Sequence, residues 1–169
     1  MPATESFLCL ITLHRDLDEL FLKHQEALLA RDVELAGHRL AAFEAQLLAH
    51  MRAEEEILLP VYRRAGHVLH GPVALFTGEH QRMLEFLARF FVALQEMRAH
   101  PHELDRRILK LFDQQATFKG LVDHHDAREE MYLYPTLDRV TTPHERRDLI
   151  ERCARGPGTP GRGREDSSS

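Results

Sequence analysis

Two segments of the chain share one pattern, and this pattern restricts the possible folds more than any other feature. Each segment reads His-x-x-x-Glu-Glu, starting at His50 and at His125, and each has a proline six residues after its first Glu. Residues four apart lie on the same face of an α-helix, with about 5–6 Å between their Cβ atoms. Each segment, folded as a helix, therefore directs one imidazole and one carboxylate toward the same volume.

The two pairs, His50 with Glu54 and His125 with Glu129, continue apolar stripes of helical period, so we expect them to face the interior. A carboxylate buried without compensation costs several kcal/mol. A pair of divalent metal ions would compensate for two such carboxylates. The mixed nitrogen and oxygen donors suit iron, manganese or zinc better than copper(I) or calcium. The pattern therefore predicts a two-metal site with both glutamates between the metals.

Four long segments carry apolar residues at the period of an amphipathic helix. The first runs from about Ser6 to Ala30, and the second from Val33 to a bend or end at Pro60. The third begins with Pro72 in its first turn and ends at a break at 100–102, and the fourth runs from there to about Pro135. Asp32 is a candidate N-cap, and Thr142-Pro143-His144-Glu145 predicts a capping box that opens a short fifth helix. The short connections predict an all-α fold, an antiparallel up-down-up-down four-helix bundle with a short C-terminal extra helix.

The length of 169 residues favours one domain, which we place at residues 1–155. Residues 156–169 are rich in Gly, Pro and Ser and are expected to form a disordered tail. The net charge of −5 disfavours nucleic acid and anionic membrane surfaces as partners. No apolar run approaches the ~20 residues of a membrane span. Two cysteines do not make a disulfide framework, and the N-terminus lacks a basic leader, so a cytoplasmic location is expected.

Two further histidines are needed from the first and third helices. On the third helix only His80 lies on the apolar stripe, and the midpoint between His80 and His125 falls at the predicted break near residue 102. On the first helix His14 and His24 compete. A turn near residues 31–32 brings His50 level with residue 13, whereas His24 would lie ~15 Å away along the helix axis. His14 is therefore the predicted ligand, with His24 as the alternative.

The set His14, His50-x-x-x-Glu54, His80 and His125-x-x-x-Glu129 resembles the hemerythrin-like (HHE cation-binding) domain family over about residues 11–135. The resemblance implies a non-haem di-iron site, bridged by carboxylates and an oxo or hydroxo group, with zinc or manganese as alternative metals. Members of this family bind oxygen, sense oxygen, nitric oxide or iron, or help to repair iron–sulfur clusters. The implied partners are thus oxygen, nitric oxide or peroxide, in sensing, scavenging or stress repair.

The chain departs from the oxygen-carrying hemerythrins at two positions. Leu84 follows His80 by four residues, where those proteins have a second histidine, and Glu129 follows His125 by four, where they have Asp after five. The resulting set of four His and two Glu is closer to the cluster-repair and iron-sensing branches. Simple oxygen transport is therefore not the expected role.

Two other functions fit parts of the pattern. One is a di-metal enzyme with peroxidase- or catalase-like activity, and the sequence does not decide whether the chain turns over a substrate. The other is a helical interaction module without metal. A ferritin-like oxidase is disfavoured, because no histidine in the chain has Glu three residues before it. We expect Glu55, Glu56 and Glu130 to be solvated or to hydrogen-bond the ligands, and the tyrosines to be core or rim residues.

Overall fold

The computed structural model describes residues 6–155 of the chain, and every long element in this range is helical. The α-helices are α1 (Ile11–Leu29), α2 (Val33–Ala53), α3 (Leu59–Tyr62), α4 (Val73–Ala99), α5 (Leu104–Arg128), α6 (Tyr134–Val140) and α7 (Pro143–Arg155). Two 3-10 turns span Phe7–Leu10 and Arg63–Ala65, and two π-helical turns span Glu54–Leu58 and Glu129–Leu133. The predicted tail at 156–169 lies outside the described residues.

Four rods build the bundle. The first is α1, the second is α2 continued through a π turn into α3, the third is α4, and the fourth is α5 continued through a π turn into α6. In the bundle α1 packs on α2, α2 on α4, α4 on α5, and α5 back on α1. The C-terminal helix α7, which corresponds to the predicted short extra helix, packs against α2, the first π turn and the N-terminal 3-10 turn. The predicted all-α bundle with an extra C-terminal helix is confirmed.

The helix starts show the expected capping. The Leu35 N–H donates to Asp32 Oδ1 at 2.9 Å, and the Glu145 N–H donates to Thr142 Oγ1 at 3.3 Å. The prediction for Pro72 was wrong by one residue, since it lies before α4 in extended conformation, with ψ of 143°. Its ring fixes φ at a value that either conformation accepts, so the sequence alone does not separate the two places.

Two apolar clusters fill the interior, one along the middle of the bundle and one at the end that α7 covers. Leu17 of α1 belongs to the first cluster and Leu10, the last residue of the preceding 3-10 turn, to the second, with His14 between them. On α4, Met83 and Phe76 flank His80 in the same way. The predicted ligands therefore lie in a polar layer between two apolar cores. No helix within residues 6–155 is both long and apolar enough to cross a membrane.

Candidate metal centre

All six predicted ligands meet in this polar layer, and every rod contributes at least one of them. They form two groups of four residues whose ligand-capable atoms lie within 4.8 Å of one another. The first group is His14, His50, Glu54 and Glu129, and the second is Glu54, His80, His125 and Glu129. Since both glutamates belong to both groups, the cluster offers two adjacent four-donor positions that share two carboxylates.

The Glu54 carboxylate faces one histidine of each group. Its Oε1 lies 2.9 Å from His50 Nε2, and its Oε2 lies 3.1 Å from His80 Nε2. Glu54 comes from the second rod, as His50 does, whereas His80 comes from the third. One oxygen is thus directed to each of the two positions.

The Glu129 carboxylate repeats this arrangement from the fourth rod. Its Oε2 lies 3.1 Å from His14 Nε2, and its Oε1 lies 3.0 Å from His125 Nε2. The side chain of Glu129 is completely buried. Two carboxylates with this orientation, one from each repeated motif, have the geometry required to bridge a pair of cations.

Several buried polar atoms of the cluster meet only ion-pair contacts and form no hydrogen bond. Among residues 6–155, the buried atoms without a hydrogen bond include His14 Nδ1, His50 Nε2, both carboxylate oxygens of Glu54, and Glu129 Oε1. Buried polar groups in native proteins almost always have partners, and buried carboxylates need compensation. Convergent imidazole and carboxylate donors fit iron, manganese or zinc, so the residues present match the implied group.

Without cations, protons balance the buried carboxylates. Burial lowers the pKa of the His50 imidazole, but the neighbouring Glu54 carboxylate outweighs this effect and raises it to about 9. Burial raises the pKa of Glu129, but His125 outweighs it and holds this pKa well below its usual range. The metal-free cluster thus pairs imidazolium with carboxylate. A metal ion bound here would have to displace these imidazole protons, so its affinity would fall as the pH is lowered.

Each π turn lies just before one of the two spaced prolines. The Leu59 N–H donates to the Glu54 carbonyl and the Tyr134 N–H to the Glu129 carbonyl, each five residues back. Pro60 and Pro135 come next, where the ring has no N–H and would clash with the carbonyl four residues earlier. One wider turn at the candidate ligand glutamate relieves this conflict. π turns of this kind occur frequently at functional sites.

Outer carboxylates hold two of the imidazoles through their Nδ1 atoms. His80 Nδ1 lies 2.7 Å from Glu55 Oε1, and His125 Nδ1 lies 3.0 Å from Glu79 Oε2. An imidazole that donates its Nδ1–H to a carboxylate presents an unprotonated Nε2 to a metal. The expected outer role of Glu55 matches this contact. Glu79 was not predicted, because it contacts a histidine of a different helix and no spacing along the chain relates the two.

Tyr134 is the second residue that sequence reasoning missed. It was expected in the core or rim, and it is fully buried, but its O–H also donates to Glu129 Oε2 at 3.0 Å and lies 3.2 Å from His14 Nε2. Residues five apart share a face only in a π turn, so an α-helical reading of the sequence turns Tyr134 away from Glu129. The spaced Pro135 is the signal that could have revealed the wider turn.

His24, the alternative first-helix ligand, lies outside both groups. Its Nδ1 is 2.8 Å from the Ala36 carbonyl, and its Nε2 is 2.8 Å from the side-chain nitrogen of Gln115. Burial lowers the pKa of His24, with the Ala36 hydrogen bond acting in the opposite direction, so the ring stays neutral. The structure brings His14, not His24, to the cluster, as the hairpin geometry predicted.

Comparison with known protein families identifies one relationship. The family model of the hemerythrin HHE cation binding domain matches residues 71–154, just under half of the chain. The matched segment includes His80, His125 and Glu129 and extends into α7. No curated protein and no solved structure matches the chain. The fold and the site define a helical bundle with a His/Glu cluster able to hold metal, and the matching family is one of cation-binding domains.

Proposed function

We propose that the protein is a hemerythrin-like non-haem di-metal protein, with two iron ions as its native metals. The observation that carries the proposal is the orientation of Glu54 and Glu129. Each places its two oxygens against histidines of two different groups, 2.9 to 3.1 Å away. A carboxylate that served only one cation would not need this orientation.

The donor set divides evenly between two ions. His14 and His50 would hold one ion and His80 and His125 the other, with Glu54 and Glu129 shared. Each ion would thus receive four protein donors. Iron held in this way keeps coordination positions for small ligands and supplies reversible binding or redox chemistry toward oxygen, nitric oxide or peroxide.

The surrounding residues support this role by flanking the cluster with apolar side chains and by donating a hydrogen bond to it. The two apolar clusters close the polar layer from both sides. The Tyr134 O–H donates a hydrogen bond to Glu129. Burial of the hydroxyl, and after it the charge of the nearby carboxylates, raises the pKa of Tyr134 well above its usual value. Tyr134 is therefore a neutral hydrogen-bond donor beside the carboxylate that the two ions would share.

The biological role that we infer is sensing, scavenging or stress repair in the cytoplasm. The four-His, two-Glu set carries this inference, since it lacks the extra third-helix histidine of the oxygen carriers. The structure holds Leu84 at that position, partly buried against the apolar core. The third helix therefore supplies one imidazole to the cluster.

Metal analysis tests the proposal directly. Protein purified from iron-supplemented cells should carry about two iron atoms per chain and absorb in the near ultraviolet through ligand-to-iron charge transfer. The spectrum of the anaerobic protein should then change on addition of oxygen or nitric oxide. Iron content near zero, with neither zinc nor manganese in its place, contradicts the proposal. Sustained consumption of added peroxide by the same sample would assign the alternative, catalase-like if no reductant is needed and peroxidase-like if one is.

A further inference from the structure

A cavity of about 570 Å³ opens between α1 and α5 and leads to the candidate metal centre. These two helices pack least closely of the four neighbouring pairs in the bundle. The inner end of the cavity is lined by the four histidines of the cluster. Its walls are apolar side chains of the middle core, among them Leu17, Phe21, Phe43, Leu47, Met83 and Phe118.

The cavity is far larger than a diatomic ligand needs. A molecule of that kind is about the size of a water molecule, which occupies roughly 30 Å³ in the liquid. Sites that bind small organic molecules typically measure ~300–1,000 Å³ and have mostly apolar walls with a few polar groups. The cavity fits the second class in both volume and lining. Metal ions at the histidine end would leave most of its apolar length vacant.

The charged lining of the cavity is more acidic than basic. The exposed charged side chains at its mouth are Arg15, Asp18, Glu19, Lys119 and Asp123, three acidic and two basic, and a further carboxylate, Asp126, lies deeper, with its Oδ2 3.5 Å from His14 Nδ1. The side chains of Asp18 on α1 and Asp123 on α5 form no hydrogen bond or ion pair with any residue of 6–155. Burial and then the Asp123 charge raise the pKa of Asp18, while His14 and Lys119 act the opposite way. A cation at the mouth would relieve this repulsion.

We propose that the cavity binds an amphiphilic organic cation, an aliphatic chain with a protonated amine at one end. The chain lies along the apolar walls toward the four histidines, and the ammonium group lies at the mouth near Asp18 and Asp123. This places an organic molecule beside the candidate metal centre, in addition to any diatomic ligand. The inference goes beyond the proposed function, because the walls and the mouth are formed without the metals.

Three probes of equal chain length test the charge preference. The full-length, metal-loaded protein is titrated calorimetrically with octylammonium, octanol and octanesulfonate at low ionic strength. Octylammonium should bind at least tenfold more tightly than octanesulfonate, with octanol between them. Equal affinities for the three probes would overturn the proposal, because they would show non-specific apolar binding.

A filling substitution tests the location. Val122 on α5 lines the cavity and is partly buried, whereas Val92 on α4 is 55% exposed and does not line it. Val122→Trp should weaken octylammonium binding at least tenfold, and Val92→Trp should leave it within twofold. Similar affinities in the two variants would overturn the assignment to this cavity.

The exposed aspartates provide a test that does not disturb the core. Asp18→Asn combined with Asp123→Asn should reduce the preference for octylammonium over octanol to less than a third of its original value. Asp113 lies on α5, as Asp123 does, but does not line the cavity, so Asp113→Asn should leave the preference for octylammonium over octanol unchanged. An unchanged preference in the double variant overturns the proposed placement of the amine.

Metal content measured on the same samples separates this inference from the proposed function. Two metals per chain without octylammonium binding would overturn the cavity proposal and leave the di-metal proposal intact. If the protein holds no metal but still binds octylammonium, and Val122→Trp weakens that binding, the cavity proposal stands and the di-metal proposal is overturned.

Discussion

At the scale of single residues, Glu54 and Glu129 are candidate bridging ligands because of where their side chains lie. The glutamates next to them in the same motifs lie elsewhere. Glu54 and Glu129 are buried between histidines, whereas Glu55 and Glu130 directly after them are exposed. One residue of helix rotates a side chain by ~100°. Glu130 is therefore a matched control for Glu129, whereas Glu55 contacts His80 Nδ1 at 2.7 Å and does not serve as one for Glu54.

We predict that Glu129→Gln reduces metal content to one ion per chain or fewer and abolishes the near-ultraviolet absorption. The substitution keeps the volume and a carbonyl acceptor but removes the charge that two cations would share. Glu130→Gln should retain two metals and the spectrum. Metal analysis and absorption spectra of both variants make the measurement, and equal effects would show that Glu129 is not a bridging ligand.

The two buried histidines of α1 give a second contrast. His14→Ala should lose at least one metal, because it removes an imidazole from the first group. His24→Ala should keep both metals and destabilise the fold by about 1–3 kcal/mol, because it leaves the Ala36 carbonyl and the Gln115 Nε2 group without their His24 partner. Metal analysis and urea unfolding separate the two outcomes. Metal loss in the His24 variant alone would contradict the assignment of His14.

At the scale of elements, the C-terminal end of the bundle is fastened by one carboxylate. Asp138, near the end of α6, accepts hydrogen bonds from the Ser6 hydroxyl and the Phe7 N–H. Its Oδ1 also lies 3.2 Å from Nε of Arg146 in α7. The guanidinium of Arg146 donates in addition to the carbonyls of Asp138 and Thr141, which end α6. Three separate elements are thus tied together over the second apolar core.

Arg146→Met should therefore destabilise the protein by about 1–3 kcal/mol, since it keeps the apolar stem but leaves buried carbonyls unpartnered. Arg147, the next residue, is exposed, and Arg147→Met should change the free energy of unfolding by less than ~0.5 kcal/mol. Urea unfolding at equal metal loading measures both values. Equal stabilities of the two variants would mean that α7 does not depend on this contact.

At the scale of the whole molecule, the polar layer makes folding and metal binding interdependent. Six convergent polar groups lie between two apolar clusters, and the unfolded chain cannot assemble them because they come from four rods. Any metal that binds only the folded state stabilises it by mass action. The site is thus a structural element of the bundle as well as a candidate ligand-binding centre.

Metal removal should lower the melting temperature. At a free metal concentration 100 times the dissociation constant, each site contributes about 2.7 kcal/mol. For a domain of this size, that corresponds to a shift of roughly 5–10 °C per site. Calorimetry before and after chelation measures the shift, and the Glu129→Gln variant should show a smaller one. A melting temperature independent of metal in the original protein would contradict the linkage.

The sequence determined the four rods, the faces that they bury and the heights at which the six candidate ligands meet. Helical period fixes which residues share a face, and the position of a turn fixes which residues of two antiparallel helices lie level. His14 could be preferred over His24 on this basis, and the structure places it accordingly. Both arguments need only local geometry along the chain.

The tertiary structure alone decided the π turns, the contact of Glu79 with His125, the place of Tyr134 and the cavity between α1 and α5. The Glu79 contact and the cavity depend on distances between residues that no regular spacing along the chain relates, and the contact of Tyr134 with Glu129 depends on the π turn. A proline permits several distortions of a helix, and packing of the rods selects one. The separation of α1 and α5 likewise follows from how side chains of all four rods fill the core. Helical period and turn positions, which relate residues only along one helix or across one turn, do not determine this separation.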